Sequence, residues 1–574
     1  MQLGLPSLLA LSSLILGIRA DLSTYTNPIL PGWNSDPSCA LVAEWNNTYF
    51  CTTSSFLTFP GIPVYASKDL VNWKLASNAL SRPDQIRDMF STATGEQSGI
   101  PAITLRYHNG MLYLITLHAD WVCPTCWTEE FIIFKTADPY DDAAWIGPIT
   151  IDSKAIAIDP DLFWDDDGKV YVAASGIQLQ SLDLETGEAG DPVNIWNGTG
   201  GASPEGPHLY KKDGWYYLLI AEGGTEMNHA VTIARSRHVF GPYESYAGNP
   251  ILTNRNTSEY FQTVGHADLF QDVAGNWWGV ALSTRSGPEW SVYPMGRESV
   301  LYPARWDKDE WPVLEPVKGR LRGPLPPQDK SIPGSGNWVD AGERLKFPPG
   351  SEIPRHLVHW RPPPKRAADY AVSPRGHPNT LALRASRANL TAYSGYLPKE
   401  GQTFIARRQS HTFFEFSVDV SAHLTSPFHE TGISLFLTSR QHVDLGIIML
   451  PVPRKGHIPH IRLNTVAFGK PNATVPKPVV VPLPKHWKKE PIRLQVAAHD
   501  DRTFVFSAST PSSPHDSKVL GSVGGEIVSG GSGPFTGSLL GAYATTNGGK
   551  KSFKSYISRW TYTPLGQKID NNED

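Results

Sequence analysis

A prevailing charge is missing from this chain. Its 51 Lys and Arg stand against 55 Asp and Glu, a net of −4 with histidine neutral. Such a balance gives no electrostatic basis for holding nucleic acid or an anionic membrane. Long apolar runs are missing as well. After the first twenty residues no stretch stays apolar for the ~20 residues that a membrane-spanning helix takes. Amphipathic helical patterns are scarce. In their place stand period-two alternation, as in Thr503-Phe504-Val505-Phe506-Ser507, and many turn formers, 50 Gly and 49 Pro, which together point to an all-β chain. Cysteine is sparse, four in all. Cys39 and Cys51 flank the first hairpin almost symmetrically, where a cross-strand disulfide fits. Cys123-Pro124-Thr125-Cys126 has no second C-x-x-C to complete a zinc site, and in an oxidising compartment it reads as a local disulfide.

That compartment follows from the N-terminus. Residues 1–20 place a short apolar core, Leu8-Leu9-Ala10-Leu11 and Leu14-Ile15-Leu16, before Ile18-Arg19-Ala20. This is the pattern of a secretory signal peptide, although the usual early positive charge is absent, and it implies a secreted, extracellular protein. Asn-x-Ser/Thr acceptors at Asn46, Asn197, Asn256, Asn389 and Asn472 are then candidate glycan sites. The 18 Trp exceed what cores usually need. Most are expected in cores, and some as exposed platforms suited to sugar rings.

The chain is organised by a phrase that recurs. Asn47, Gly110, Gly168, Gly214 and Gly275 each read as a hairpin tip, followed three residues later by Phe50, Tyr113, Tyr171, Tyr217 and Trp278. Asn or Gly at such a tip accepts the positive φ that the turn needs. One hairpin at roughly 45–65-residue intervals, five times over, is the mark of a five-bladed β-propeller. Counting back nine residues from the later tips, and eleven from Asn47, lands on Asp36, Pro101, Asp159, Glu205 and His266. Innermost strands converge on the propeller axis, so these five side chains are expected at one mouth of the channel. Asp before Pro is also a common turn starter, but three carboxylates in register across blades read better as a site.

The propeller is expected over 21–322. A stretch rich in Pro, Gly and Ser, 323–336, reads as a linker or as chain draped over a surface. Residues 337–566 return to alternating strands without the blade phrase and read as a β-sandwich. Residues 567–574 are polar and expected to fray. No catalytic constellation is visible in the second half, where Arg407-Arg408 and His411 read as strand-face residues.

Several phrases resemble glycoside hydrolase family 43, in family order: Tyr25-Thr26-Asn27-Pro28 through Asp36-Pro37-Ser38, Ile158-Asp159-Pro160-Asp161, Glu205-Gly206-Pro207-His208, Gly265-His266-Ala267-Asp268 and Gly296-Arg297-Glu298. Trp360-Arg361-Pro362-Pro363, Ala406-Arg407-Arg408-Gln409 and Gly533-Pro534-Phe535-Thr536-Gly537 resemble the concanavalin-like β-sandwich of its two-domain members. Those are β-xylosidases, α-L-arabinofuranosidases, or both. The resemblance implies Asp36 as general base, Glu205 as general acid, and Asp159 as the residue that tunes and orients the acid. It implies His266 beside the channel, near an ion or water, Arg285 as a substrate-contacting arginine, and Phe56 as an aromatic of the sugar pocket. It requires no organic cofactor and leaves room for a structural calcium near His266.

The chemistry agrees with the repeat. Inverting hydrolysis uses one acid and one carboxylate base standing roughly 6.5–9.5 Å apart, a distance that residues on different blades can meet. A third carboxylate beside the acid disfavours its ionisation, the tuning role expected of Asp159. One departure stands out: Pro101-Ala102-Ile103 replaces the family's bulky aromatic followed by Ala-Pro, which opens the choice between xylose and arabinofuranose. The insertion Trp121–Trp127 is a second candidate for the pocket rim. The expectation is therefore a secreted, exo-acting, inverting glycosidase on xylan-derived oligosaccharide or polysaccharide. The alternative is a catalytically silent carbohydrate-binding protein, or a propeller used as a scaffold for protein partners. Neither has a use for separated carboxylates. Oligomeric state is not legible.

Overall fold

A computed structural model describes residues 22–85, 95–120, 129–155, 157–363, 366–391 and 401–572. The leader at 1–20, the Cys123/Cys126 pair and the Trp121–Trp127 insertion lie outside the described residues. Helix is confined, among those described, to 3₁₀ turns and one turn of four residues, Arg366–Asp369.

Five four-stranded antiparallel sheets make the first half. Their innermost strands are Ser38–Val42, Thr104–His108, Asp161–Trp164, Glu205–Lys212 and Phe261–Gln271. Each lies beside the next, and the fifth returns to the first, which closes the ring. All five expected hairpin tips connect the first and second strands of a blade, and all five have positive φ: Asn47 50°, Gly110 79°, Gly168 83°, Gly214 72° and Gly275 82°. A Cβ at Gly110, Gly168 or Gly275 would touch nothing, so the turn selects glycine for its backbone and not for room. The aromatic that follows packs inside; Phe50, Tyr217 and Trp278 are wholly buried. Cys39 and Cys51 sit directly opposite each other in the first hairpin and are disulfide-bonded. The strand Ser23–Thr26 pairs with Arg320–Gly323 and ties the start of the propeller to its end.

The second half is a sandwich of an eight-stranded and a six-stranded sheet. Alternating residues such as Phe414, Phe416, Val418 and Val420 fill the space between them. Its six-stranded sheet turns its outer face to the propeller, where Phe404, Phe436, Leu539 and Tyr543 join Trp33, Phe56, Leu57 and Trp360 in one apolar cluster. His359–Trp360 adds a short strand against Thr58–Phe59, so the halves share backbone pairing as well as packing. The Pro- and Gly-rich connection runs along the first blade: Lys74 Nζ donates to the carbonyls of Ile332 and Gly334, and Asp329 N donates to Asp69 Oδ2.

Two expectations are corrected. The C-terminal residues do not fray through Asn572. Ile569, the one large apolar side chain there, is buried in the core of the last blades, and Asn571 donates to Ser258 O at 2.6 Å. Nor do tryptophans form exposed platforms: every described Trp is buried or half-buried.

Candidate active site

The sheet geometry carries the register residues to one end of the channel. Asp36 and Asp159 each stand two residues before an inner strand, Glu205 opens one, and His266 lies within the fifth. Their backbones are unusual. Asp36 (φ 54°), Asp159 (φ 57°) and His266 (φ 50°) are all left-handed, a conformation costing of order 1 kcal/mol or more for a residue with a side chain. β-Bulges interrupt pairing after Glu205 and next to His266, and bulges re-aim the side chains around them. Gly206 is left-handed too, and a Cβ there would come within 3.2 Å of His266 Nδ1. Glycine after the expected acid lets blade four approach blade five.

Asp36, Asp159, His266 and Arg297 are between 4% and 8% exposed; Glu205 is half-buried. His266 Nδ1 stands 3.9 Å from Asp36 Oδ1 and 4.0 Å from Asp159 Oδ2, so it sits between the two aspartates. Asp36 Oδ2 accepts from Ser54 Oγ at 2.5 Å, and Ser54 Oγ accepts from Ala102 N at 2.6 Å. Arg297 Nη1 is 3.6 Å from Asp36 Oδ1. Asp159 Oδ2 accepts from Gly206 N at 3.1 Å, which fixes the backbone beside Glu205.

The electrostatics separate the acids. Burial alone would raise Asp36, but His266, Arg297 and the Ser54 hydroxyl outweigh it and hold the carboxyl below its ordinary value. Burial pushes His266 itself down to about 4, which leaves Arg297 as the permanent cation beside Asp36. Glu205 is pushed up to about 7, first by burial, with Asp36 and Glu226 adding and Arg297 opposing. Asp159 is raised well above the carboxylate range by burial, then by Glu205 and Asp36. A buried neutral Asp159 exerts no charge on Glu205. Its structural link to the acid is the Gly206 hydrogen bond.

Two aromatic rings close one side. Phe56 is 2% exposed and lies behind Phe535 of the sandwich, ring centres 6.0 Å apart and stacked. The Arg297 guanidinium rests 4.6 Å from the centre of the Phe535 ring. Phe535 N in turn donates to Gln97 Oε1, on the approach to the second blade, at 3.0 Å.

Arg285 is not brought to this cluster. Its side chain is 1% exposed and paired with Glu298, Nε to Oε2 at 2.6 Å and Nη2 to Oε1 at 2.9 Å; it sits in the seam with the sandwich. The arginine at the acids is Arg297. Strand alternation was the available signal: Arg297 and Glu298 are neighbours on one strand and point to opposite faces, and Arg285 shares the face of Glu298, whose cross-strand partner is Ser283. Phe535 was likewise present in the sequence as part of a sandwich phrase, with nothing local to mark it as a site residue.

Below the acids, a second tier of carboxylates is paired with an arginine. Arg106 bridges Asp161 (2.9 Å) and Asp268 (2.8 Å), and Asp268 accepts from Ser38 and Tyr210. Calcium asks for 6–8 oxygen ligands, and the surroundings of His266 do not supply them; among the described residues no three His, Cys, Asp or Glu are grouped to hold a metal. A cavity of about 1300 Å³ lies elsewhere, between the first blades and the strap at 352–356. Its arginines are spent on backbone carbonyls, Arg82 on Asp142 and Trp145, Arg355 on Tyr140, and it holds none of these acids.

Comparison with known proteins places this geometry. Residues 25–312 match the family profile "Glycosyl hydrolases family 43", and residues 351–563 match "Beta xylosidase C-terminal Concanavalin A-like domain". A non-reducing end alpha-L-arabinofuranosidase of Bacteroides ovatus is 32% identical over 92% of both chains. A beta-xylosidase of Bacillus subtilis is 36% identical over 54% of this chain and 59% of its own. Among solved structures, a family 43 protein of Bacillus licheniformis aligns with a TM-score of 0.80 at 27% identity, covering 95% of this chain and all of the other.

Proposed function

Because the chain belongs to glycosyl hydrolase family 43 and is a glycosidase, we propose that it is an exo-acting, inverting enzyme releasing xylose, arabinofuranose or both from xylan-derived chains. One observation carries the mechanism. Three acids from three blades meet at the channel mouth in two protonation states, Asp36 held ionised and Glu205 held up to about 7.

In this reading Glu205 protonates the departing glycosidic oxygen. The Asp36 carboxylate takes a proton from a water that attacks the anomeric carbon from the opposite face. Water adds its hydroxyl to the sugar, the aglycone leaves with the Glu205 proton, and configuration inverts. Asp159, through Gly206 N, holds the acid in place. Arg297, fixed between Asp36 and Phe535, orients both the base and a sugar hydroxyl. The relatives named xylosidase and arabinofuranosidase support the sugar class. Secretion is proposed on the leader-like N-terminus, and four of the five glycan acceptors, Asn46, Asn197, Asn256 and Asn472, are exposed. None of these steps is routed through a metal, and a structural calcium near His266 is a separate proposal.

The test is direct. Nitrophenyl β-xyloside and nitrophenyl α-arabinofuranoside are each incubated with the purified protein, and the first-formed anomer is read by proton NMR. Hydrolysis with inverted product is expected. Activity with retained configuration would overturn the base role of Asp36, and inactivity on both would overturn the substrate class.

A further inference from the structure

The buried Arg285–Glu298 pair has more partners than an ion pair needs. Glu298 Oε1 also accepts from Gly32 N at 2.6 Å. That contact is one of several made to the segment leading into Asp36. Ile29 N donates to Ser299 O, Gly32 N to the Glu298 carboxylate, and Asn34 N to Arg297 O at 2.9 Å. Residues 297–299 therefore grip the approach to the expected base at three successive points. The middle grip is made by the Glu298 side chain, Ser299 Oγ adds a bond to Asn34 O at 2.7 Å, and the Glu298 grip is no firmer than whatever holds that carboxylate.

What holds it is Arg285, and beside Thr412 and Met295 two of the groups that hold Arg285 come from the far end of the chain. Arg285 Nη1 donates to Gln567 Oε1 at 2.7 Å and to Lys568 O at 3.1 Å. Gln567 Nε2 donates to Ser410 O at 2.7 Å, so one amide side chain spans propeller and sandwich. Lys568 Nζ pairs with Asp501 at 2.9 Å, Ile569 enters the core of the last blades, and Asn571 Nδ2 reaches Ser258 O. Each of these four residues is anchored separately, which is the behaviour of a strap and not of a loose end.

We propose that Arg285 and Glu298 are positioning residues for Asp36 and Arg297, and that Gln567 and Lys568 complete them as a strap across the two halves. The inference rests on the reading of Asp36 as the base. Its logic is geometric. Arg297 and Glu298 are consecutive and point to opposite faces of one strand, so a carboxylate fixed on the seam side fixes the guanidinium on the site side. A shift of about 1 Å in such a constellation can cost on the order of a hundredfold in rate. The strap does not touch substrate; it removes freedom from the group that does.

Gln567→Ala is the probing variant, since it deletes the bridge and leaves Arg285, Glu298 and the buried Ile569 in place. We expect kcat on nitrophenyl xyloside to fall by roughly tenfold with KM within about twofold. The acidic limb of the pH–rate profile should move to higher pH, because Arg297 no longer stands where it holds Asp36 ionised. Asn571→Ala, which loosens the strap away from the pair, should leave both unchanged. A Gln567→Ala enzyme with a lowered Tm but an unmoved acidic limb and kcat would overturn the proposal, since a purely structural strap behaves that way. A crystal structure of Arg285→Lys gives the same answer without activity. The Arg297–Asp36 separation, 3.6 Å here, should lengthen, and an unchanged distance also overturns it. A wild-type protein inert on every glycoside would instead sink the base assignment, and the crystallographic arm still decides whether the strap sets this geometry.

Discussion

The two halves bury carboxylates in opposite ways. In the sandwich three buried acids are paired with arginines: Glu430 with Arg462 at 2.5 Å, Asp419 with Arg493 at 2.8 Å, and Glu343 with Arg407 as well as His356. At the propeller mouth three acids share one nearby arginine and a histidine that burial pushes down to about 4. Removing a charge from water is costly, and pairing recovers the cost. Where pairing is complete the charge serves the fold. Where it is incomplete, Asp159 and Glu205 settle the conflict by holding a proton, and a proton held near neutrality is one that can be delivered. The contrast recurs inside the propeller, where the paired tier of Arg106, Asp161 and Asp268 lies just below the unpaired one.

The contrast breaks most visibly if the mouth acids are changed. Asp36→Asn should lower kcat on every substrate by about a thousandfold or more. Glu205→Gln should do so on natural glycosides while sparing aryl glycosides whose leaving group needs little protonation; parallel steady-state assays on the two substrate types check both. Equal loss on both types would remove Glu205 from the acid role. In the sandwich the reverse holds. Arg462→Met strands the Glu430 carboxylate and should cost about 3 kcal/mol of unfolding free energy, with kcat intact, as read by urea titration beside a nitrophenyl assay.

Finer tests follow from protonation. Glu343 would be raised by burial, but Arg407 and His356 overcome this and hold it at about 2. Its folded value is depressed, so its stabilisation is complete above its unfolded value of about 4.3 and is lost as pH falls through about 2. Glu205 has the opposite sign. Its folded value is raised, so it weakens the fold as pH climbs from about 4.3 through about 7. Glu205→Gln should therefore melt higher than wild type at pH 8 and equally near pH 4, by differential scanning fluorimetry. Activity requires the protonated acid and should decline as pH rises through about 7. The smallest effect is expected for Asp159→Asn. If burial sets Glu205, the alkaline limb should move by less than about one pH unit, while kcat falls through the weakened hold on Gly206.

Much of this was legible in the residues alone, for a reason the turns make plain. A hairpin tip constrains φ, φ selects glycine or asparagine, and the blade period follows from their spacing. The register of Asp36, Asp159, Glu205 and His266 came from the same count. The two arginines could not be told apart that way, because Arg285 and Arg297 lie at one height on adjacent strands and only the pleat decides which faces the axis. Phe535 was out of reach for a different reason. It arrives from another sheet, and no local pattern records a contact made across more than four hundred residues of chain. The tail misled because its polar composition hides a single isoleucine that suffices to dock it.

Phe535 carries a consequence for how such a protein can be divided. The ring against which Arg297 rests belongs to the sandwich, and its backbone is fastened to Gln97 of the propeller. A gene trimmed after the last blade would encode every acid and still lack a wall of its own pocket. The smallest piece that can be moved intact between genomes is the pair of domains, and recombination that shuffles propellers alone would deliver a chemically complete set of residues around an open-sided hole.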